Sequence, residues 1–271
     1  MKLKAAVIDL DGTLLTSGKI ITDRTAAALL AAKSSGLQLI FATARPPRAV
    51  ALLQPDLRQL GSVVYYNGAL YHCSVSKQSF HFPIHRELAG EIIGYCLQLN
   101  PEAALSIEVM DHWYSFRPLD YTKTIQAKEP PAVLESAKIN EYDCTKILLA
   151  DFSHADRLYE KYDGQLHIVV TDDGALVQIM AGGVSKEAAV RQLCVNLGIE
   201  MKDVMCFGDD FNDLGLFGEC GYPVAMGNAA PQLKQAACEI TDTNDLDGVA
   251  QVLERWLSAD APQFTGKKVG S

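Results

Sequence analysis

Two aspartates two positions apart, Asp9 and Asp11, are the residues of this sequence best placed to do chemistry. They follow the apolar run at residues 5–8, which predicts a strand buried on both faces, as in a parallel sheet. Residues i and i+2 of an extended segment share a face, so both carboxylates could act on one reacting centre. Two carboxylates this close repel each other unless a cation lies beside them, which favours a hard divalent metal ion. The alternative is an Asp-rich turn that only ends a strand.

A second group of polar residues follows another apolar run and contains Asp209, Asp210, Asn212 and Asp213. In an open α/β sheet, ligands bind beyond the carboxyl ends of the strands, so acids from both halves of the sequence should meet at one edge. Mg²⁺ prefers oxygen ligands and usually takes one or two carboxylates, a role that suits Asp9 and Asp209. The alternative is that this group only caps the following helix, and capping is the favoured role of Asp210.

A hydroxyl and two cations complete the set of candidates. Thr43 ends a second apolar strand and is followed by Ala44 and Arg45, and Lys186 opens a predicted helix after a glycine-rich turn. A hydroxyl, backbone amides and an ammonium group are the donors that phosphoryl oxygens bind. Lys186 on its own could equally be a solvated surface charge. Arg45 could bind phosphate, but a structural ion pair is the favoured interpretation.

Length and composition narrow the class of protein. The chain has 271 residues, of which 48% are hydrophobic and 21% charged, which is typical of a globular protein with two modest domains. A net charge of -9 argues against nucleic-acid and anionic-membrane partners. Seven scattered cysteines without a C-x-x-C pair predict neither a disulfide framework nor a zinc site. Strand-like sequence begins near Leu3 and leaves no room for a signal peptide, so we expect a reducing, cytoplasmic location.

The elements that must position these residues follow an α/β pattern. A predicted helix at residues 24–33 and an apolar strand at 37–42 form a βαβ unit with the first strand. The pattern of predicted elements changes between Phe82 and Gly182. Short strands grouped around helices there predict an α+β layer with an antiparallel sheet. We therefore predict a discontinuous Rossmann-like core, residues 1–81 and 183–271, with an α+β domain at 82–182 inserted in it. The polar end at 263–271 is predicted to be loose.

Four short motifs, DLDGT, ATAR, GVSK and GDDFND, together resemble the haloacid dehalogenase-like phosphatases in order and context. The large insertion between the second and third motifs, with the segments Asn67-Gly68-Ala69 and Ala225-Met226-Gly227-Asn228-Ala229, is most similar to the Cof-type branch with a type IIB cap. The resemblance covers nearly the whole chain. It implies a Rossmann-like parallel-sheet core, a movable α+β cap, Mg²⁺ and hydrolysis of a small phosphorylated metabolite. One departure is Ala44, where the family commonly has Gly.

The resemblance also implies a role for each matching residue. Asp9 would be the nucleophile that attacks phosphorus, and Asp11 the acid/base that protonates the leaving oxygen and then activates water. The metal ion would be held by the Asp9 carboxylate, the Asp11 carbonyl and Asp209, with Asp213 in support. The remaining residues would bind phosphoryl oxygens: Thr43, Lys186, Asn212 and the backbone amides of Leu10 and Ala44.

Two other functions remain open at this stage. A sugar phosphotransferase or mutase on the same scaffold would pass the phosphoryl group to a sugar instead of water. A phosphate-binding regulatory protein would keep the site without turnover. Neither the substrate nor the oligomeric state follows from the sequence.

Overall fold

The computed structural model describes residues 3–119, 130–135, 138, 141–171 and 174–258. The predicted loose end at 263–271 lies outside these residues. The chain divides into two compact units, one made of the residues up to Phe80 together with those from Ser185 onward, the other of His81–Val184.

Fourteen strands occur in the described part of the chain. They are β1 (Ala5–Asp9), β2 (Gln38–Ala42), β3 (Ser62–Tyr65), β4 (Leu70–His72), β5 (Ser79–His81), β6 (Ala104–Val109), β7 (His112–Ser115), β8 (Ala132–Val133), β9 (Lys146–Ala150), β10 (Leu166–Thr171), β11 (Leu176–Ala181), β12 (Val204–Gly208), β13 (Tyr222–Ala225) and β14 (Glu239–Ile240).

Nine α-helices occur in the same residues. They are α1 (Asp23–Ser34), α2 (Pro47–Val50), α3 (Leu57–Leu60), α4 (Arg86–Leu99), α5 (Ala155–Tyr162), α6 (Lys186–Leu197), α7 (Leu214–Glu219), α8 (Pro231–Ala236) and α9 (Gly248–Leu257). None of the described helices has the length and apolar character needed to cross a membrane.

The first unit is built on an eight-stranded sheet with the strand order β14-β13-β12-β1-β2-β3-β4-β5. Strand β1 lies between β12 and β2 and is parallel to both, so that Ile8 pairs with Phe207 on one side and Phe41 on the other. All five residues of β1 are buried, as a continuous apolar strand requires. The strands that precede the acidic motifs are therefore neighbours, and their carboxyl ends share one edge of the sheet.

The ends of two helices fix the chain around that edge. Thr22 caps α1 by accepting a hydrogen bond from the Thr25 amide, as its position before the predicted helix suggested. Ser185 caps α6 by accepting from the Ala188 amide, and this helix ends at Gly198 in the left-handed conformation. Lys186 is thereby fixed as the first residue of α6.

The second unit contains a six-stranded sheet with the order β10-β11-β9-β6-β7-β8. Its neighbouring strands are antiparallel except for the pair β7 and β8. One face packs residues such as Leu105, Ile107 and Ile147 into a core with α4 and α5. The predicted fold class, a parallel-sheet α/β core with an inserted α+β unit, is confirmed.

The region after Pro46 and Pro47 contains two four-residue helices, α2 and α3. Pro55 separates them, because a proline inside a helix removes a backbone hydrogen bond and clashes with the preceding turn. Asp56 then starts α3 by accepting from the Arg58 amide.

Polar groups buried in the second unit contact one another. The Lys146 Nζ donates to the Gln178 Oε1 at 3.1 Å, and the Gln178 Nε2 donates to the Thr171 Oγ1 at 3.2 Å. The buried Trp113 donates its indole N–H to Ser106 at 3.0 Å.

Candidate active site

Asp9 and Lys186 form the buried centre of the candidate site. Asp9 is the last residue of the central strand β1, and Lys186 is the first residue of α6. The Lys186 Nζ donates to the Asp9 Oδ1 at 2.6 Å and to the Asp213 Oδ1 at 2.8 Å. Lys186 is only 1% exposed, so it is not the solvated surface charge that the sequence left open. A lysine is buried this deeply almost only when it is paired.

Three carboxylates converge beside this lysine. Asp9, Asp209 and Asp213 each offer an oxygen, and these oxygens all lie within 4.8 Å of one another. The Thr13 Oγ1 donates to the Asp209 Oδ1 at 2.9 Å, and the Asp209 amide donates to the Asp213 Oδ2 at 3.2 Å. The predicted meeting of acids from both halves of the sequence therefore occurs.

The electrostatics of this group favour the arrival of a cation. Burial raises the pKa of Asp9 well above its ordinary value, although the Lys186 ammonium opposes the shift and Asp213 adds to it. Burial also raises the pKa of Asp209 to about 6, with Asp213 adding to the shift. The two carboxylates hold the pKa of Lys186 above its ordinary value against the opposing effect of burial. One ammonium group thus faces three carboxylates, and an all-oxygen donor set with excess negative charge fits a hard divalent cation.

Gly12 makes the close approach of Asp209 possible. Its φ is +80°, in the left-handed region that glycine adopts without penalty. A Cβ at this position would lie 2.1 Å from the Asp209 Oδ2. The glycine of the DLDGT motif is therefore required by both backbone conformation and space.

Asp11 has different neighbours from Asp9. Strand β1 ends at Asp9, so the alternation of faces that predicted a shared centre does not extend to Asp11. Its carboxylate binds the Arg45 Nε and Nη2, both at 2.6 Å, and the Lys19 Nζ at 2.8 Å. Burial tends to raise the pKa of Asp11, but the hydrogen bonds and charges of Arg45 and Lys19 outweigh it and lower the pKa.

Among the described residues, the Asp11 side chain is not one of the three clustered carboxylates, so only its backbone carbonyl remains a metal-ligand candidate. Arg45 makes the ion pair that the sequence favoured for it, and Asp11 is its partner.

The remaining predicted residues lie on the loops at the same edge. Thr43 is buried directly after β2, and its Oγ1 accepts from the Arg45 amide at 3.1 Å, while Ala44 lies between them. Leu10 lies between the two aspartates and is fully buried. Asp210 accepts from the Phe211 amide as a helix cap, in agreement with the favoured interpretation. Asn212 donates from its Nδ2 to the Asn67 Oδ1 at 3.4 Å.

Several residues that shape this edge were not predicted. The Asn228 Nδ2 donates to the Gly12 carbonyl at 2.8 Å, and the Asn244 Nδ2 donates to the Leu15 carbonyl at 2.8 Å. The Ser17 amide donates to the Asp245 Oδ1 at 2.7 Å. These bonds hold the segment that follows Asp11 and carries Lys19. Asn228 belongs to a segment that the resemblance singled out, whereas no sequence pattern marked Asn244 or Asp245.

The geometry can be compared with known proteins. The family model for haloacid dehalogenase-like hydrolases matches residues 6–253. The chain belongs to this family. The resemblance found in the four motifs is thereby confirmed over nearly the whole chain.

Relatives and solved structures agree with this assignment. The 5-amino-6-(5-phospho-D-ribitylamino)uracil phosphatase YcsE of Bacillus subtilis is 25% identical over 256 residues, which cover 94% of this chain and 96% of the relative. The crystal structure of TM0651 from Thermotoga maritima is 26% identical with a TM-score of 0.81, and the match covers 93% of this chain and 97% of that one. The subclass IIB sugar phosphatase BT4131 shares the fold at 22% identity, with a TM-score of 0.79 and coverage of 93% and 98%.

Proposed function

We propose that this protein is a Mg²⁺-dependent phosphatase that hydrolyses a small phosphorylated metabolite through an aspartyl-phosphate at Asp9. The observation that carries the proposal is the buried Lys186, which bridges Asp9 and Asp213 beside Asp209. This arrangement keeps a carboxylate, a cation and further acids at the carboxyl end of the central strand. Positioning and charge neutralisation are most of what phosphoryl transfer asks of a protein.

The metal ion would be held by oxygens of Asp9 and Asp209, with the Asp11 carbonyl and Asp213 in support. Bound there, Mg²⁺ would supply charge neutralisation for the phosphoryl oxygens. The excess of carboxylates over ammonium groups around Lys186 supports this assignment.

The roles proposed for the first two aspartates are those that the family resemblance implies. An Asp9 oxygen forms a bond to phosphorus while the bond from phosphorus to the leaving oxygen breaks. Asp11 gives its proton to that oxygen and later takes one from the water that hydrolyses the acyl phosphate. Both oxygens of Asp11 bind Arg45 in the structure, so Asp11 must release this partner before it can act.

The phosphoryl oxygens would be bound by donors from the loops at this edge of the sheet. These donors are the Lys186 ammonium, the Thr43 hydroxyl, the Asn212 amide and the backbone amides of Leu10 and Ala44. Lys186 is the strongest of them, because a charge that is already fixed and desolvated needs no reorganisation during the reaction.

The inserted unit, predicted at residues 82–182, is proposed to act as a cap that sets substrate choice. A chimera that carries the corresponding unit of a relative in place of His81–Val184 tests this role. Its ranking of phosphate esters by kcat/KM should follow the donor of the unit, and an unchanged ranking would locate specificity in the core. The substrate named for YcsE, 5-amino-6-(5-phospho-D-ribitylamino)uracil, belongs in the ester panel together with sugar phosphates and nucleotides.

The direct test of the function is hydrolysis of a generic aryl phosphate with Mg²⁺. Chelation should abolish turnover and Mg²⁺ should restore it, whereas Ca²⁺, which accepts looser coordination, should substitute poorly. Full activity in chelator would refute the metal assignment. Binding of phosphate without turnover would favour a regulatory protein, and transfer to an added sugar in preference to water would favour a phosphotransferase.

Location and partners extend the proposal. All seven cysteines are unpaired, which suits a reducing compartment such as the cytoplasm. The net charge of -9 suits a small-molecule substrate and neither a nucleic acid nor an anionic membrane. Cell fractionation and retention on immobilised DNA and anionic vesicles would test both statements.

A further inference from the structure

The turn between β3 and β4 has an unusual backbone. Tyr66, Asn67 and Gly68 have φ values of 51°, 53° and 111°, so three consecutive residues lie at positive φ. Positive φ is costly for a bulky residue such as Tyr66, whose side chain is fully buried. Conformations of this kind persist only where the surrounding structure imposes them, and they cluster at functional sites. The contacts of this turn are therefore informative.

One set of contacts reaches the loop after β2. The Asn67 amide donates to the Thr43 carbonyl at 2.9 Å, and the Tyr66 amide donates to the Arg45 carbonyl at 3.3 Å. These bonds require the left-handed turn to lie directly against the residues proposed to bind phosphate. The position of the Thr43 hydroxyl thus depends on the turn.

A second contact reaches the start of α6. A Cβ on Gly68 would lie 2.2 Å from the Ser185 carbonyl oxygen, so only glycine fits at this position. Ser185 is the cap of α6, and Lys186 follows it directly. The turn therefore also fixes the backbone that carries the buried ammonium group.

A third contact is made by a side chain. The Asn67 Oδ1 accepts from the Asn212 Nδ2 at 3.4 Å, although the two residues are 145 positions apart. Asn67 is only 6% exposed, whereas Asn212 is exposed and follows the strand-end acids of β12. Through this hydrogen bond the Asn67 side chain ties Asn212 to the turn between β3 and β4.

We propose that Asn67 is a positioning residue of the active site, which holds the Thr43 loop through its backbone and the Asn212 side chain through its amide. This inference rests on the proposed function, because it assigns Asn67 a part in binding the phosphoryl group. A competing explanation is that asparagine is present only because it tolerates positive φ in a turn. Glycine at position 67 would preserve function if only positive φ matters, and would impair it if the side-chain amide is needed.

The test replaces the side chain and keeps the backbone conformation. Asn67→Gly retains access to positive φ but removes the amide. The matched control is Lys77→Gly, since Lys77 also has positive φ, at 61°, and is exposed in a turn of the same unit. Both variants exchange a left-handed residue for glycine, so the control separates the backbone change from the loss of the Asn67 amide.

With an aryl phosphate and Mg²⁺, Asn67→Gly should lower kcat/KM on the order of 10²-fold, as expected when a binding group is misplaced by about 1 Å. Lys77→Gly should keep wild-type activity. In an Asn212→Ala background, Asn67→Gly should lose most of its effect, because the two residues act through one contact. Wild-type activity in Asn67→Gly, or full additivity with Asn212→Ala, would overturn the proposal.

A second measurement keeps the inference separable from the proposed function. NMR relaxation of the Asn212 side-chain amide needs no turnover. The amide should become mobile in Asn67→Gly and stay ordered in Lys77→Gly. An amide that is equally ordered in both variants would overturn the inference, whether or not the wild-type protein hydrolyses phosphate esters.

Discussion

Two buried lysines, one in each unit, can be compared by the groups that they contact. Lys186 and Lys146 are 1% and 6% exposed. Lys146 donates to the neutral amide oxygen of Gln178, which in turn donates to Thr171. Lys186 instead binds Asp9 and Asp213, with a third carboxylate nearby.

The comparison teaches that burial of a cation alone does not mark a site. Around Lys186 the charges do not balance, because three carboxylates face one ammonium group. Burial raises the pKa values of Asp9 and Asp209, and the Asp213 charge adds to both shifts. Such a cluster is costly unless a ligand completes it. Active sites commonly break the rules that stabilise the rest of a fold in this way.

The largest effect should come from the carboxylate at the centre of the imbalance. Asp9→Asn keeps the shape of the side chain but replaces the nucleophile by a neutral amide. We expect kcat to fall on the order of 10⁶-fold, the scale seen when a catalytic nucleophile is removed from another enzyme. Steady-state hydrolysis of an aryl phosphate with Mg²⁺ measures the loss. A kcat within about tenfold of wild type would mean that the activation barrier had hardly changed, and it would exclude Asp9 as the nucleophile.

The second prediction compares the two lysines directly. Lys186→Met removes the ammonium from between Asp9 and Asp213, and we expect aryl-phosphatase kcat/KM to fall about 10²–10³-fold. Breaking a buried ion pair should also cost about 3–5 kcal/mol of unfolding free energy. Lys146→Met, in the other unit, should leave the same activity unchanged, although loss of the donor to the Gln178 oxygen should lower its unfolding free energy.

Activity assays and denaturant unfolding of both variants check this prediction. Equal losses of activity in the two variants would show that the three carboxylates beside Lys186 do not set it apart from another buried lysine. The comparison between the units would then fail.

The third prediction concerns the cost of the unbalanced cluster. Asp209→Asn removes one charge, keeps an oxygen to accept from Thr13, and should raise the unfolding midpoint of the metal-free protein. Mg²⁺ at 100 times its dissociation constant should stabilise the wild type by about 2.7 kcal/mol and the variant much less. Thermal unfolding with and without Mg²⁺ provides the measurement. A variant that Mg²⁺ stabilises as strongly as the wild type would remove Asp209 from the metal site.

The smallest effect is expected in the second unit, where polar groups are satisfied. Burial lowers the pKa of His81 from 6.5, although the Asp143 charge opposes the shift, and its Nε2 lies 2.8 Å from the Thr145 Oγ1. The unfolded chain therefore takes up this proton first as the pH falls. The stability contributed by neutral His81 is present above pH 6.5 and is lost as the pH falls through its lower folded pKa.

His81→Gln should flatten that part of the stability profile, because glutamine does not titrate. Denaturant unfolding at a series of pH values between about 5 and 8 measures the slope in each protein, the range in which histidines titrate. Identical slopes would show that His81 does not contribute to the pH dependence.

The sequence predicted the strand-end residues well because the geometry behind them is simple. A buried parallel strand delivers its last residue to the sheet edge, so Asp9 and Asp209 could be placed from apolar runs alone. Placing Lys186 in the site required a second signal in the sequence, the start of a helix capped by Ser185. Its burial could not be predicted, because it depends on partners that are distant in the chain.

The turns were the least predictable part of the site. Asn67-Gly68 lies in the turn between the antiparallel strands β3 and β4. Its contacts to Ser185 and Asn212 depend on three loops that meet only in the folded chain. The pairing of Asp11 with Lys19 likewise depends on a left-handed turn residue that no periodicity marks. Local sequence patterns determine helices and strands, whereas contacts between distant loops form only in the tertiary structure.

The most direct test of the central claim, that Asp9 is the residue that becomes phosphorylated, is to trap the intermediate. Asp11→Asn keeps the nucleophile but lacks the acid and the base, each worth about 10²–10⁴-fold. An activated aryl phosphate whose leaving group needs no proton should still phosphorylate this variant, and the acyl phosphate should accumulate. Rapid acid quench followed by intact-mass and peptide mapping should show a phosphate adduct on Asp9 in Asp11→Asn and none in Asp9→Asn. An adduct mapped to another residue, or one equally abundant in Asp9→Asn, would contradict the account.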